Sequence, residues 1–174
     1  MKYGIAIFPS KKLQDTVNSY RKRYDPHYAL IAPHVTLKDP FEVNDEDELK
    51  ALTRRIHEIS DNVQPFNLHV YKVGSFHPVN NVIYFRIKDD EKLTHLHEQL
   101  HEENLYTDRP YSFVPHITLG QKLSDEEHRD VLESLKMTDV DYQETIDRFQ
   151  LLYQLDNGSW TVFETFHLGS DKTS

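Results

Sequence analysis

Two short stretches of this sequence share residues with the types and spacing needed for proton transfer. Pro33–Leu37 reads PHVTL, and Pro115–Leu119 reads PHITL, with four of five letters identical and the fifth a Val/Ile exchange. In a β-strand alternate residues share a face, so His34 and Thr36 point one way while Val35 and Leu37 point the other. The same alternation separates His116 and Thr118 from Ile117 and Leu119. If the apolar pairs lie under helices, each His-Thr pair faces the opposite surface, and a cleft between the two copies would hold two imidazoles and two hydroxyls. An imidazole titrates near neutral pH, so one ring can accept a proton while the other donates one. Hydrolysis of a phosphodiester needs both: a base for the attacking water and an acid for the departing oxygen. Thr36 and Thr118 are placed to donate hydrogen bonds to the non-bridging oxygens of the phosphate. This chemistry draws its acid and base from the chain and calls for no metal or other cofactor. A single His two places from a Thr is ordinarily a surface or satisfied core residue; the repetition in register gives the pair its meaning.

A second motif competes with the first. His97-Glu98-Gln99-Leu100-His101 spells HEQLH, a formal match to the H-E-x-x-H pattern in which two His one helical turn apart bind zinc and the Glu activates water. The chain holds 11 His, so chance matches are expected. Leu93, Leu96 and Leu100 form an apolar stripe with His97 at its edge, which reads equally well as the flank of an amphipathic helix.

The elements that must position these residues also occur twice. Tyr3–Phe8 reads as a strand, followed by Ser10 as helix cap and apolar residues at Leu13, Val17 and Tyr20. Asn81–Ile87 reads as a strand, followed by Asp89-Asp90 and apolar residues at Leu93, Leu96 and Leu100. Each PHxTL strand then leads to a capped helix: Asn44 with Asp47 three residues on, and Ser124 with Glu127, the latter a full capping box. Further strands are expected at Phe66–Val73, Arg148–Leu155 and Trp160–His167, the last after an Asn157-Gly158 turn. The pattern predicts an α+β fold in a single domain over 1–174. It is duplicated with pseudo-twofold symmetry: lobe one is about 1–79 and lobe two about 80–168, meeting near Pro78–Asn80. Each lobe is expected to be a small, mainly antiparallel sheet with helices on its outer face, leaving a central cleft.

Composition limits the possible partners. The chain has 174 residues and a formal net charge of −9, which argues against wrapping a long nucleic acid. Ten Tyr and nine Phe supply bulky core material, unlike a disordered chain. There is no Cys, so disulfides and thiolate chemistry are excluded. No apolar run approaches a membrane span and no secretory leader is evident, so a cytoplasmic location and no membrane partner are expected. A monomer is expected as well.

At HVTL (His34–Leu37) and HITL (His116–Leu119) the sequence resembles the 2H phosphoesterase superfamily, which includes the RNA 2′,3′-cyclic phosphodiesterases, also called 2′-5′ RNA ligase-like proteins. Within it the small bacterial YjcG-like group is most similar. The resemblance spans nearly the whole chain. It implies His34 as proton donor, His116 as proton acceptor, and Thr36 and Thr118 as phosphate-binding residues. The substrate it implies is a small phosphorylated or cyclic-phosphate compound, or an RNA end. Many RNA-end members carry Arg or Lys directly after the second motif, whereas this chain has Gln121 in HITLGQ. Lys38, following the first motif, is the cation that would substitute in part. Three function classes follow: a metal-independent phosphoesterase of the cyclic phosphodiesterase type, a zinc hydrolase through HEQLH, and a non-catalytic protein that binds a nucleotide or RNA end. Two clusters, Tyr20–Tyr24 (YRKRY) and Arg109 with Tyr111 and Phe113, are candidates for a cleft rim or for solvated surface.

Overall fold

Helix starts are set by side chains that satisfy the free N–H groups of the first turn. In a computed structural model that describes residues 1–109 and 111–169, Ser10 caps α1 (Lys11–Tyr24), with its hydroxyl accepting from Leu13 N at 3.3 Å. Helix α2 (Glu46–Asp61) is capped by Asp45 rather than Asn44: Asp45 Oδ1 accepts from Glu48 N at 2.8 Å, and a carboxylate also suits the positive end of the helix dipole. The Asn44 N–H donates instead to Glu48 Oε2. Asp90 caps α3 (Glu91–Gln99), and Ser124 with Glu127 closes the expected reciprocal capping box on α4 (Asp125–Lys136). Among the described residues no helix is long and apolar enough to cross a membrane.

The strands are β1 (Lys2–Ile7), β2 (Val35–Glu42), β3 (Phe66–Ser75), β4 (Ile83–Ile87), β5 (His116–Gly120), β6 (Tyr142–Ile146), β7 (Arg148–Gln154) and β8 (Trp160–His167). All pairings are antiparallel, in the order β6-β3-β4-β5-β2-β1-β7-β8. The fold is α+β, and the two small sheets expected of the lobes are two four-stranded halves of one sheet. Their orders match, β5-β4-β3-β6 against β2-β1-β7-β8, so a twofold pattern exchanges β4 with β1 and β5 with β2. The halves do not follow the chain division at residue 79. β3, which closes the first repeat, pairs with β4; β7, which closes the second, pairs with β1. The repeats therefore trade their closing strands, and the Pro78–Asn80 boundary is the connection inside the β3–β4 hairpin.

The halves meet along β2 and β5, where the ladder has one Cα pair, Val35 with Ile117. Helices cover this junction crosswise: α1 packs over β5 and α3 over β2. Val35, Leu37, Ile117 and Leu119 are all at most 1% exposed and belong to one continuous core with Leu13 and Val17 of α1 and Leu93 and Leu96 of α3. Each such side chain contributes roughly 1.5–3 kcal/mol of burial free energy. The apolar letters of both PHxTL copies thus fix the strands against the helices and leave the alternate letters for the other face.

Candidate active site

His34, Thr36, His116 and Thr118 are each partly exposed, alternating with the buried residues between them. They lie side by side on neighbouring strands rather than opposite each other on separate sheets, because β2 and β5 are hydrogen-bonded. Val35 opposite Ile117 sets the register; one residue further each way, Thr36 lies across from His116 and His34 across from Thr118. The rings occupy one diagonal of this square and the hydroxyls the other. In a regular ladder such a diagonal is roughly 7–8 Å, room for a phosphate between the rings.

The two imidazoles are held in the same way. His34 Nδ1 is 2.8 Å from the Ala32 carbonyl, and His116 Nδ1 is 2.7 Å from the Val114 carbonyl. A carbonyl only accepts, so Nδ1 carries the proton in both rings, and Nε2 is an acceptor when the ring is neutral and a donor when it is charged. Burial lowers the His34 pKa from 6.5 to about 4, with Arg21 and the His116 ring acting in the same direction against the Ala32 hydrogen bond. Burial also lowers that of His116, opposed by the Val114 carbonyl and Asp39. Burial thus favours the neutral form of both rings, and a charge on one disfavours a charge on the other.

Two arms of a cleft meet at Thr36, Asp39, Thr118 and Gln121. The first, about 370 Å³, runs past His34 toward Arg21, Ile31, Leu152 and Trp160. The second, about 620 Å³, runs past His116 between Phe76, Val79, Tyr111 and Phe113. Phe76 stands edge-on to His116 with ring centroids 5.0 Å apart, and Tyr84 lies at 5.1 Å.

The expected cations are placed differently. Lys38 is 2% exposed, and its ammonium donates to the Leu100 and Leu105 carbonyls and the Thr107 hydroxyl at 3.0, 2.6 and 3.0 Å. All three of its protons are spent fastening the segment after α3, so the phosphate role expected of Lys38 does not fit this geometry; burial lowers its pKa to about 8. Of the YRKRY cluster, Lys22 and Arg23 are exposed, while Arg21 turns inward to line the first arm. Its Nε donates to Asp25 Oδ2 at 3.0 Å, and its other nitrogens donate to Asn18 and to the His27 and Ile31 carbonyls. Asp25 Oδ1 in turn accepts from Gln121 Nε2 at 2.9 Å. This Arg21-Asp25-Gln121 chain was not legible in the sequence; the four-residue spacing of Arg21 and Asp25 was its only signal. Gly120 makes it possible: a Cβ there would come within 2.8 Å of Tyr24 Cβ, so only glycine lets the end of α1 approach β5, where Gln121 N donates to Tyr24 O at 3.0 Å.

The His97 and His101 rings of HEQLH lie 4.4 Å apart, but not on one helix. Helix α3 ends at Gln99, and His101 lies beyond it, its Nδ1 donating to the His97 carbonyl at 2.7 Å. His97 is 7% exposed and stacks on Phe113 at 3.8 Å, and Glu98 faces Arg109 at 3.4 Å. Among the described residues no group of three His, Cys, Asp or Glu side chains is arranged to hold a metal. The segment serves as packing for the wall of the second arm.

The chain is similar to known proteins along nearly its whole length. A protein of Bacillus mycoides (strain KBAB4) named "Putative phosphoesterase" is 58% identical over 171 residues, covering 98% of this chain and 99% of its own. A Bacillus licheniformis protein of the same designation is 59% identical over 170 residues, covering 98% and 100%. The fold is similar to that of Escherichia coli LigT, crystallised with 3′-AMP, at a TM-score of 0.71 with 19% identity over 96% of this chain and 97% of that one. It is also similar to TT0787 of Thermus thermophilus, at 0.68 with 18% identity over 97% and 98%. The family model of the 2′-5′ RNA ligase superfamily matches residues 9–158, and the chain belongs to that superfamily, the 2H phosphoesterases.

Proposed function

We propose that this phosphoesterase hydrolyses a 2′,3′-cyclic phosphate or a related small phosphodiester by general acid and base catalysis between His34 and His116. The observation that carries the reading is the shared Nδ1-to-carbonyl bond, which leaves two Nε2 atoms for one phosphorus. A phosphodiester anion entering the cleft favours protonation of a ring that burial otherwise keeps neutral. Mutual repulsion of the rings then leaves the second one neutral, so a single proton makes an acid and a base. His116 Nε2 takes a proton from water as its oxygen bonds to phosphorus, the bond to the departing ribose oxygen breaks, and His34 Nε2–H delivers its proton to that oxygen. Thr36 and Thr118 donate to the non-bridging oxygens, where charge is held through the transition state. The donor and acceptor assignments follow the family resemblance. The 3′-AMP held by the LigT fold neighbour supports a nucleotide-sized substrate.

The test is turnover of 2′,3′-cyclic nucleotides with a metal chelator present. The expected result is chelator-insensitive ring opening to a phosphomonoester, with a bell-shaped dependence of rate on pH. Binding of these compounds by folded protein without turnover would instead support a nucleotide-binding role.

A further inference from the structure

We propose that Gln121 makes the cleft selective for phosphodiesters carrying a single negative charge, against phosphomonoesters carrying two. The proposal rests on the phosphodiesterase reading and adds the substrate's charge class.

The cations around the two rings are matched. Arg21 is paired with Asp25 at 3.0 Å, both side chains 2% exposed. Arg86, the cross-strand partner of His116, donates to Asp89 Oδ1 at 3.1 Å and to the Ile87 and Pro115 carbonyls. Arg109 in the second arm faces Glu98, and Lys38, whose three protons go to neutral oxygens, has the neighbouring Asp39 carboxylate as its counter-charge. Asp39 adds a carboxylate where the two arms meet. Gln121 lines both arms at that same place, its amide anchored to Asp25 and its backbone to Tyr24. The groups available to a phosphate are thus two hydroxyls, an amide and two imidazoles, of which mutual repulsion lets one take up a proton and so answer a single negative charge. They satisfy the oxygens of a diester without opposing a second charge. A cation at position 121 would stand unmatched, because Asp25 is already committed to Arg21, and would supply that opposition.

The selection has a consequence for turnover. Water adds across one P–O bond of a cyclic diester, giving an alcohol and a monoester. The monoester loses its second proton to solvent with a pKa near 6. The product then carries the charge that the site does not match, which favours its departure.

The experiment is equilibrium binding to the full chain at about pH 8 and fixed ionic strength, where a monoester is a dianion. The probes are adenosine 3′-monophosphate and its methyl ester, which differ by one charge. The native protein is expected to bind the methyl ester about threefold or more tightly than the monoester. Gln121→Arg is expected to tighten monoester binding about tenfold and methyl ester binding only about threefold, since the added charge meets two negative charges in one probe and one in the other. Gln121→Lys serves if the Arg variant does not fold, and the order of the two probes on native protein is decisive by itself. Tighter binding of the monoester by native protein, together with turnover of cyclic nucleotides, overturns charge selection alone. Binding of neither probe and no turnover removes the phosphodiesterase reading and this proposal with it.

Discussion

The surroundings of the first motif and the second differ far more than the motifs do. Both histidines are fixed through Nδ1 to the carbonyl two residues back, and both threonines lie on the exposed face of a strand whose other face is buried. Around His34 the cleft walls are mostly aliphatic and charged, with Trp160 and the Arg21-Asp25 pair among them and only Phe8 edge-on to the ring, at 6.2 Å. Around His116 they are aromatic, with Phe76 and Tyr84 against the ring. The two His-Thr pairs have kept their twofold pattern and the flanks have lost it. This is what an asymmetric substrate requires: equal grip on the phosphorus, unequal grip on the groups either side.

The largest test of this contrast is replacement of each histidine. His34→Ala and His116→Ala should each lower kcat by about 10²–10⁴, with the double variant little worse than either single one. Conservative His→Gln variants should divide the pH profile, one losing its acid limb and the other its alkaline limb; a bell surviving intact in either would remove that ring from the reaction. Next, Thr36→Val and Thr118→Val should each cost on the order of 10²-fold in kcat with little effect on KM. A loss confined to KM would make the hydroxyls simple binding groups. The flanks should then separate. Phe76→Ala should raise KM about tenfold, in the range of a lost base stack, and Trp160→Ala by less, since only Phe76 also packs on a reacting ring. Equal effects would mean that the aromatic asymmetry is not read by the substrate.

The smallest expected effect is on stability against acid. Burial lowers the pKa values of His34 and His97 to about 4, and those of His101, His116 and His128 are lowered as well. The unfolded chain takes up these protons near 6.5, before the folded chain does. Stability is therefore full above about pH 6.5 and is lost as pH falls toward 4. The buried His97 alone should account for on the order of 2 kcal/mol between pH 7 and pH 5. Urea melts across that range test this, and His97→Phe should flatten the slope. A midpoint independent of pH would contradict it.

Much of the fold was legible because the local signals agreed. Ser10, Asp90 and Ser124 cap the expected helices, and alternation in both PHxTL strands separated buried from open residues as observed. Strand β6 was not anticipated: Tyr142–Ile146 is a short edge strand whose hydrophobic residues are diluted by Gln143, Glu144 and Thr145, and its existence depends on pairing with β3. Lys38 and Arg21 show the other limit. Both are cations near a motif, and the sequence does not reveal that one is drawn into carbonyls of a distant segment and the other into a buried pair. The partners of Lys38 lie 62 and 67 residues along the chain, where no local pattern reports them, and the four-residue spacing of Arg21 and Asp25 does not say that the pair is buried.

The exchange of closing strands bears on how such a molecule arises. In this chain each repeat's closing strand pairs with the first strand of the other repeat rather than with its own. Two copies of one such unit exchanging these strands would form an intertwined pair with one histidine from each member at the seam. Joining two such units in a single polypeptide removes the dependence on concentration and frees each flank to change separately.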